Sequence, residues 1–243
     1  LPCGDCEAVT SAAQDRLFPP AQKAVTARPM TTSPPAGTPG IPRSLFVLSV
    51  FYGGMVCLAG VLGNKQVAIG PLAVEAGIFA FLLLVVVSSA IAELHGRDTA
   101  NSLVKFGFVP LLFSMLLSWI VWSLPPSPDM AEENAKAIQL ILGATGRIWA
   151  AGVCAYGVSQ FLNVYIFSKL QNMPGRFLAV RGVIASALSQ IVDTLIFVTI
   201  AFYGVFPIGQ LLVGQMVAKV ALSVALVPFL IVFFVRLGKR LDA

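Results

Sequence analysis

The sequence has little charge, a single histidine and no nucleotide-binding loop. Charged residues make up 11% of the 243 residues, whereas soluble domains contain about 25%. His95 is the only histidine, which excludes metal sites built from several histidines. No G-x-x-x-x-G-K-[ST] loop occurs, which argues against ATP hydrolysis, and no G-x-S-x-G elbow of a serine hydrolase is present. These absences disfavour an enzyme.

Cysteine usage and charge placement exclude further classes. Cys57 and Cys154 lie in apolar runs, where cysteine packs as a small hydrophobic residue. Cys3 and Cys6 form a C-x-x-C pair without the second pair that a zinc site needs. The formal charge of +5 is scattered between apolar runs and does not indicate a nucleic-acid partner. We therefore expect no metal and no cofactor, and a lipid bilayer as the surroundings of this 57% hydrophobic chain.

Residues 1–43 differ in composition from the rest of the chain. They are rich in Pro, Thr, Ser, Ala and Gly and cannot bury enough apolar surface to order themselves, so we expect a disordered tail. Because the first methionine is Met30, we expect the natural start there, with residues 1–29 as an upstream extension. The tail lacks the basic and then apolar start of a cleaved signal peptide.

Residues 44–243 contain six apolar runs, each long enough to cross a bilayer, which takes about 20 residues. The runs are continuous rather than alternating, which favours helices over strands. The sequence therefore predicts an all-α membrane protein, a compact bundle of six transmembrane helices. The predicted spans are about 44–63, 71–92, 103–124, 137–168, 177–203 and 207–235. The fourth run exceeds the bilayer thickness, so we expect it to tilt or protrude.

The basic residues predict the orientation of the bundle. They flank the first span at its start, the second and fourth connections, and the end of the last span. Since loops rich in Lys and Arg stay in the cytoplasm, both termini are expected there. The residues concerned are Arg43, Arg97, Lys105, Lys169, Arg176, Arg181, Arg236, Lys239 and Arg240.

Two ionisable residues stand in the middle of apolar runs, Asp193 in the fifth span and Lys219 in the sixth. An ionisable group at membrane depth costs roughly 2.5–3.5 kcal/mol on insertion scales. A chain that only had to sit in lipid would not carry them. They indicate a polar, substrate-handling site, although a purely structural ion pair remains the alternative.

Polar and small residues recur at helical spacing on three spans, which places each set on one helix face. We expect the three faces to point inward together, although small polar residues also simply join membrane helices. The faces are Tyr156, Gln160 and Asn163; Gly182, Ser186, Ser189 and Asp193; and Gln215, Lys219 and Ser223.

Glu75 and Arg147 complete the candidate site, in the outer half of the predicted bundle. Glu75 follows Pro71 near the start of the second span and is equally well explained as an interfacial residue. On a straight helix, Arg147 would lie on a different face from Gln160. Either the helix bends near Gly143, Gly146 or Gly152, or Arg147 has a different partner. Two negative and two positive residues in the interior suit a neutral or modestly charged ligand.

Four stretches resemble the queuosine precursor transporter family of bacterial vitamin-uptake-like membrane proteins. Together they cover about 75–240, and their order and spacing are more specific than any one of them. They are Ala92-Glu93-Leu94-His95-Gly96, similar to E-(V/L)-(Y/F)-G; Arg147 with Ala155–Val164, similar to R…AY…GQ…D/N-V; Leu188–Phe197, close to S-D-T-…F; and Lys219.

The resemblance implies uptake of a 7-deazaguanine such as preQ0 or preQ1 across the bacterial inner membrane, for tRNA queuosine salvage. It also implies a fold like the substrate-binding components of energy-coupling-factor vitamin transporters. The chain departs from the family pattern at Ser88-Ser89, where many relatives have Thr-Asp, and at Phe81-Leu82, where they tend to have Phe-Pro. The first departure removes an acidic residue. Its loss could change which ligand is bound or how transport is coupled to an energy source.

A guanine-like edge presents adjacent N–H donors. The two oxygens of a carboxylate can accept a pair of hydrogen bonds from them. Asp193 is the first candidate for this role and Glu75 the second, and Lys219 would neutralise the acid when the site is empty.

Gln160 and Asn163 could meet the ring carbonyl and the remaining donors, and Tyr156 or Trp149 could stack on the ring. The alternative function is a substrate-binding subunit of a multi-component vitamin or purine transporter. The sequence leaves open the ligand, the driving ion, and whether the protein forms a homo-oligomer or needs an energising partner.

Overall fold

The computed structural model describes residues 40–63, 65–69, 72–143, 146–172, 177–204 and 208–243. The predicted disordered tail lies outside these residues, apart from its last four positions. The elements in chain order are α1 (Arg43–Leu62), β1 (Gln66–Ile69), β2 (Leu72–Glu75), α2 (Gly77–His95), α3 (Arg97–Ser123), α4 (Glu132–Leu142), α5 (Gly146–Lys169), a 3₁₀ turn (Leu170–Asn172), α6 (Leu178–Phe202) and α7 (Gly209–Asp242).

Six of these helices are long and apolar enough to span a membrane, which confirms the predicted all-α membrane protein with six spans. They are α1, α2, α3, α5, α6 and α7. The remaining helix, α4, has 11 residues and is too short to cross a bilayer. The end of the bundle where α1 begins and α7 ends is called the terminal end below, and the opposite end is called the hairpin end.

The start of the second span differs from the prediction. Leu72–Glu75 pairs with Gln66–Ile69 as a two-stranded antiparallel hairpin, with Gln66 opposite Glu75, and α2 begins only at Gly77. Both strands are short apolar runs with Val or Ile in them. Such runs do not reveal by periodicity whether they are helical or extended. The prediction therefore assigned the second strand to the helix that follows it.

The fourth apolar run is also different from the prediction, because it is two helices and not one long span. The short helix α4 ends at Leu142, and Gly143 closes it with a backbone hydrogen bond to Gln139. The spanning helix α5 then begins at Gly146. Glycine is a poor helix former and is common just after a helix end. The excess length of this run therefore forms the separate short helix α4.

Helix α2 lies at the centre of the bundle. It packs against α1, α3, α5, α6 and α7, and it is the most buried of the six spans. Its residues from Leu84 to Ala92 are all buried, including Ser88 and Ser89. Gly96, which follows it with φ of +87°, adopts a conformation that favours glycine and lets α3 begin immediately. Helix α2 thus offers a polar surface to α5 inside an apolar core.

The two ends of the chain meet at the terminal end. Ser44, in the first turn of α1, donates its backbone N–H to Asp242 Oδ1 over 2.9 Å and its hydroxyl to Asp242 Oδ2 over 2.5 Å. The same hydroxyl lies 2.7 Å from Nε2 of His95, the last residue of α2. These contacts hold the first, second and last spans together.

Helix α3 approaches α1 and α5 most closely at Gly107. A Cβ atom built there would lie 1.9 Å from Tyr156 Oη and 2.9 Å from Tyr52 Cε1. Both tyrosines are buried, and their hydroxyls are hydrogen-bonded over 3.0 Å. A residue without a side chain is therefore needed at Gly107.

We expect Gly107→Ala to destabilise the bundle by about 1–3 kcal/mol, because the methyl group forces the two tyrosines apart. Gly54→Ala is the matched control, since nothing lies within 4 Å of the added Cβ atom. Thermal unfolding in detergent measures both variants. Equal unfolding temperatures for the two would contradict this account of the packing.

Candidate functional site

An ion pair joins α6 and α7 in the interior. Lys219 Nζ lies 2.9 Å from Asp193 Oδ2, and the two side chains are 10% and 8% exposed. The Ser159 hydroxyl of α5 lies 3.3 Å from the other carboxylate oxygen, and it donates over 2.6 Å to Ala155 O of its own helix. Lys219 Nζ also stands 5.7 Å from the ring centre of Phe81. Oδ2 of Asp193 is therefore held by Lys219, and Oδ1 lies beside the hydroxyl of Ser159.

The predicted inward faces of α6 and α7 are the faces that meet. Ser186 and Ser223 are hydrogen-bonded over 3.0 Å, on the terminal side of the ion pair. Gly182 allows α7 to approach, since a Cβ atom there would lie 2.9 Å from Ile231 Cδ1. Small residues at the contact let the backbones come close.

The hairpin carries Glu75 to the first part of α7. Gln215 Nε2 donates to Glu75 Oε1 over 3.3 Å, and Gln215 lies one helical turn before Lys219. Burial raises the pKa of the Glu75 carboxyl above its ordinary value, while Lys219 partly opposes this and Asp193 adds to it. Glu75 is thus electrostatically linked to the ion pair.

Gln160 and Asn163 of α5 turn towards the polar surface of α2. Asn163 Nδ2 lies 3.0 Å from Val85 O, Ser88 Oγ and Ser89 Oγ. Ser88 Oγ lies 3.1 Å from Val85 O and 3.3 Å from Gln160 Oε1, and its one proton can serve either oxygen. The serine pair that departs from the family pattern therefore holds the two amides that were predicted to meet the ligand.

Tyr156 is part of the packed core between α5 and α3. Its hydroxyl donates to Val104 O over 3.0 Å, and its ring meets the ring of Phe108 edge-on with centroids 5.0 Å apart. The hydroxyl of Tyr52 lies 3.5 Å from Gln160 Oε1. The ring-stacking role predicted for Tyr156 stays a prediction, while its contacts here are those of a packing residue.

Arg147 has the different partner that the sequence left open. Its Nε and Nη2 each donate over 2.6 Å, to Ile200 O and Tyr203 O at the end of α6. The last carbonyls of a helix have no partner within the helix, and a cation there is favourable. Arg147 thus closes the end of α6, and its predicted place among the ligand contacts remains untested.

A cavity of about 320 Å³ lies in the hairpin half of the bundle. Its described walls come from α1, α3, α4, α5 and α6, and Glu75 is the acidic side chain in them. Trp149, Phe197 and Phe202 supply aromatic surface. Of the seven ligand residues predicted from sequence, Glu75 lines this cavity. Trp149, the alternative stacking residue, lines it as well.

The terminal end of the bundle is closed by polar contacts. Arg181 of α6 pairs with Glu93 of α2 over 3.0 Å and also donates to Phe167 O of α5 over 3.3 Å. Glu93 belongs to the stretch that resembles the family's E-(V/L)-(Y/F)-G. Within the described ranges, no three His, Cys, Asp or Glu side chains cluster as they would around a metal ion.

Several buried polar residues of the site were not among the predicted ligand residues. Ser159 lies beside the acid, Gln215 holds Glu75, and Gln190 lies fully buried on α6, three residues before Asp193. Gln215 belongs to the predicted inward face of the sixth span. Ser159 and Gln190 are on none of the three predicted faces, although Ser159 lies three residues after Tyr156 and Gln190 three before Asp193, which is helical spacing.

Six spans with a polar and charged interior make up a multi-pass membrane protein of the kind that moves small molecules. The sequence matches the family described as "Putative vitamin uptake transporter" over residues 75–233, which is more than half of the chain. The chain belongs to this family of transporters.

It is also 26% identical, over 188 residues, to the "Probable queuosine precursor transporter" of Bacillus subtilis (strain 168). The match covers 75% of this chain and 81% of that protein. These findings confirm the resemblance to the queuosine precursor transporter family. No solved structure matches the chain, so the likeness to energy-coupling-factor components stays a prediction.

We expect Lys219→Met to destabilise the protein by about 3–5 kcal/mol, because it leaves the Asp193 carboxylate buried without its cation. Adding Asp193→Asn should restore much of the loss. Lys136→Met is the control, since Lys136 pairs with Glu132 at an exposed position of α4. Thermal unfolding in detergent measures the three variants. A double variant no more stable than Lys219→Met alone would refute the coupling.

The raised pKa of Glu75 predicts a pH dependence of stability. The folded protein holds this proton more tightly than the unfolded chain, so stability falls as pH rises from the ordinary value of 4.5 to the raised pKa. Glu75→Gln should flatten the slope of unfolding temperature against pH above 4.5. Glu133→Gln, at an exposed position of α4, should leave the slope as it is. Identical slopes in all three proteins would exclude this role of burial.

Proposed function

We propose that this protein takes up a queuosine precursor, a 7-deazaguanine such as preQ0 or preQ1, across the bacterial inner membrane for salvage into tRNA. The relative from Bacillus subtilis supports this substrate by its name. The observation that carries the proposal is the position of Glu75, a carboxylate that lines the cavity and joins it, through Gln215, to the buried Asp193–Lys219 pair.

The cavity suits a flat ring. Its volume lies near the lower end of the roughly 300–1,000 Å³ typical of ligand pockets. Trp149 and the two phenylalanines offer faces for stacking, and Glu75 can accept two adjacent N–H donors of a guanine-like edge. Asp193 is paired with Lys219, and Glu75 is the acid in the cavity wall, so Glu75 is the acid that first meets a ligand.

Asp193 and Lys219 act in the next step. For the ring to pass beyond the cavity, its N–H donors take the place of the Lys219 ammonium on Asp193. The ring donors keep the Asp193 carboxylate hydrogen-bonded, and the displaced Lys219 ammonium stays close enough to balance its charge. With both termini in the cytoplasm, as the basic residues predict, the hairpin end and its cavity face outward, as uptake requires.

A binding subunit that needs a separate energising complex remains the second candidate, because the family is described by vitamin uptake. Purified protein in liposomes without any other protein separates the two. Accumulation of labelled preQ1 there supports a carrier that works alone, whereas binding without transport supports the subunit.

We expect cells that lack this gene, and cannot make the precursor, to lose queuosine from tRNA when preQ0 or preQ1 is limiting in the medium. The gene should restore it, and the Asp193→Asn variant should not, although it still inserts into the membrane. The readout is the queuosine content of tRNA together with the amount of protein in the membrane fraction.

The double variant Asp193→Asn with Lys219→Met is the control for folding, since it carries no unpaired charge. It should be stable and inactive. Normal queuosine in cells that carry either well-expressed variant would defeat the assigned role of Asp193. Normal queuosine in cells without the gene would defeat the proposed function itself.

A further inference from the structure

Gln190 is a buried amide whose polar atoms find no hydrogen-bond partner in the described part of the chain. It lies on α6, three residues before Asp193, and its side chain is fully buried. Among the described residues, neither its Nε2 nor its Oε1 has a partner. A buried polar group that is left unpaired costs free energy, so most such groups in native proteins are paired or have a function.

In each of two neighbouring side-chain amides of α5, one of the two polar atoms has no hydrogen-bond partner among the described residues. In the described part of the chain, Gln160 Nε2 and Asn163 Oδ1 have no partner, although the other polar atom of each amide is held by Ser88. With Gln190, these residues offer two unpaired donors and two unpaired acceptors. The three residues are called the inner amide site below.

The inner amide site adjoins the ion pair. Gln190 shares a helix face with Asp193, and the hydroxyl of Ser159, which directly precedes Gln160, lies 3.3 Å from Asp193 Oδ1. Asn163 lies one turn further along α5, towards the terminal end. The site therefore lies just beyond the ion pair for a molecule that comes from the cavity.

The chemistry of the site differs from that of Glu75. A carboxylate accepts hydrogen bonds and cannot donate them, whereas an amide does both through adjacent atoms. A lactam is a ring N–H beside a ring C=O. A side-chain amide pairs with it by two hydrogen bonds: the amide N–H donates to the ring C=O, and the amide oxygen accepts from the ring N–H. Since amides are neutral, such a site suits an uncharged ring edge.

We propose that the inner amide site is a second binding position for the transported ring, and that Gln190 recognises its lactam edge. The inference rests on the proposed function and deepens it. Glu75 and Asp193 accept the N–H donors of the ring, and Gln190 distinguishes rings that carry the carbonyl from rings that lack it. The free energy lost by leaving these amides unpaired is recovered only when the right ligand is present.

The test compares Gln190→Leu with Gln171→Leu, an exposed glutamine in the turn after α5. Purified proteins in liposomes are given labelled preQ0, with unlabelled preQ0 or its analogue without the ring carbonyl as competitors. Unfolding temperature is measured in parallel. Wild type and Gln171→Leu should take up preQ0 and prefer it over the analogue.

Gln190→Leu should lose uptake by about tenfold or more and should lose the preference, because the carbonyl no longer finds its donor. Its unfolding temperature should stay equal or rise, since two unpaired polar atoms have been removed. Gln190→Met, which is closer in shape, should behave in the same way.

Three results would overturn the inference. The first two are unchanged uptake in Gln190→Leu and an unchanged preference for preQ0 over the analogue in that variant. The third is a fall in unfolding temperature in both the Leu and the Met variants. Such a fall would mean that the amide stabilises the fold, for example through a buried water. Failure of the wild-type protein to bind or transport preQ0 at all would instead contradict the proposed function.

Discussion

The interior of this bundle depends on one electrostatic constraint, that neither Asp193 nor Lys219 can be buried without the other. The pair ties α6 to α7 in the middle of the membrane, where water cannot take the place of either partner. Ser159 of α5 lies beside the carboxylate, and one turn before Lys219 on α7, Gln215 bonds Glu75 of the hairpin. The elements around the two charges therefore meet at one level of the bundle.

The two halves of the bundle around this pair differ in character. The hairpin half contains the cavity, its aromatic walls and one carboxylate. The terminal half is closed by Arg181 with Glu93 and by Ser44 with Asp242. Between them lie the two amides of α5, Gln160 and Asn163, against the serines of α2. Along the bundle the surroundings therefore change from an apolar cavity through charges to neutral amides.

Much of this arrangement could be predicted from the sequence, because charge and periodicity act locally. The six spans and the inward faces that carry Asp193 and Lys219 follow from the cost of polar groups in lipid. The hairpin could not be predicted, since Leu72–Glu75 is as apolar as a helix start. The partners of Arg147 and the close helix approach at Gly107 could not be predicted from the sequence either. Both depend on contacts between helices that are distant in sequence.

The clamps at the two ends of α5 and α6 have a mechanical consequence. Arg147 joins the start of α5 to the end of α6, and Arg181 joins the start of α6 to Phe167 near the end of α5. The two antiparallel helices are thus fastened to each other near both ends. Relative motion of the pair is therefore expected at its boundary with α7, where Asp193 faces Lys219.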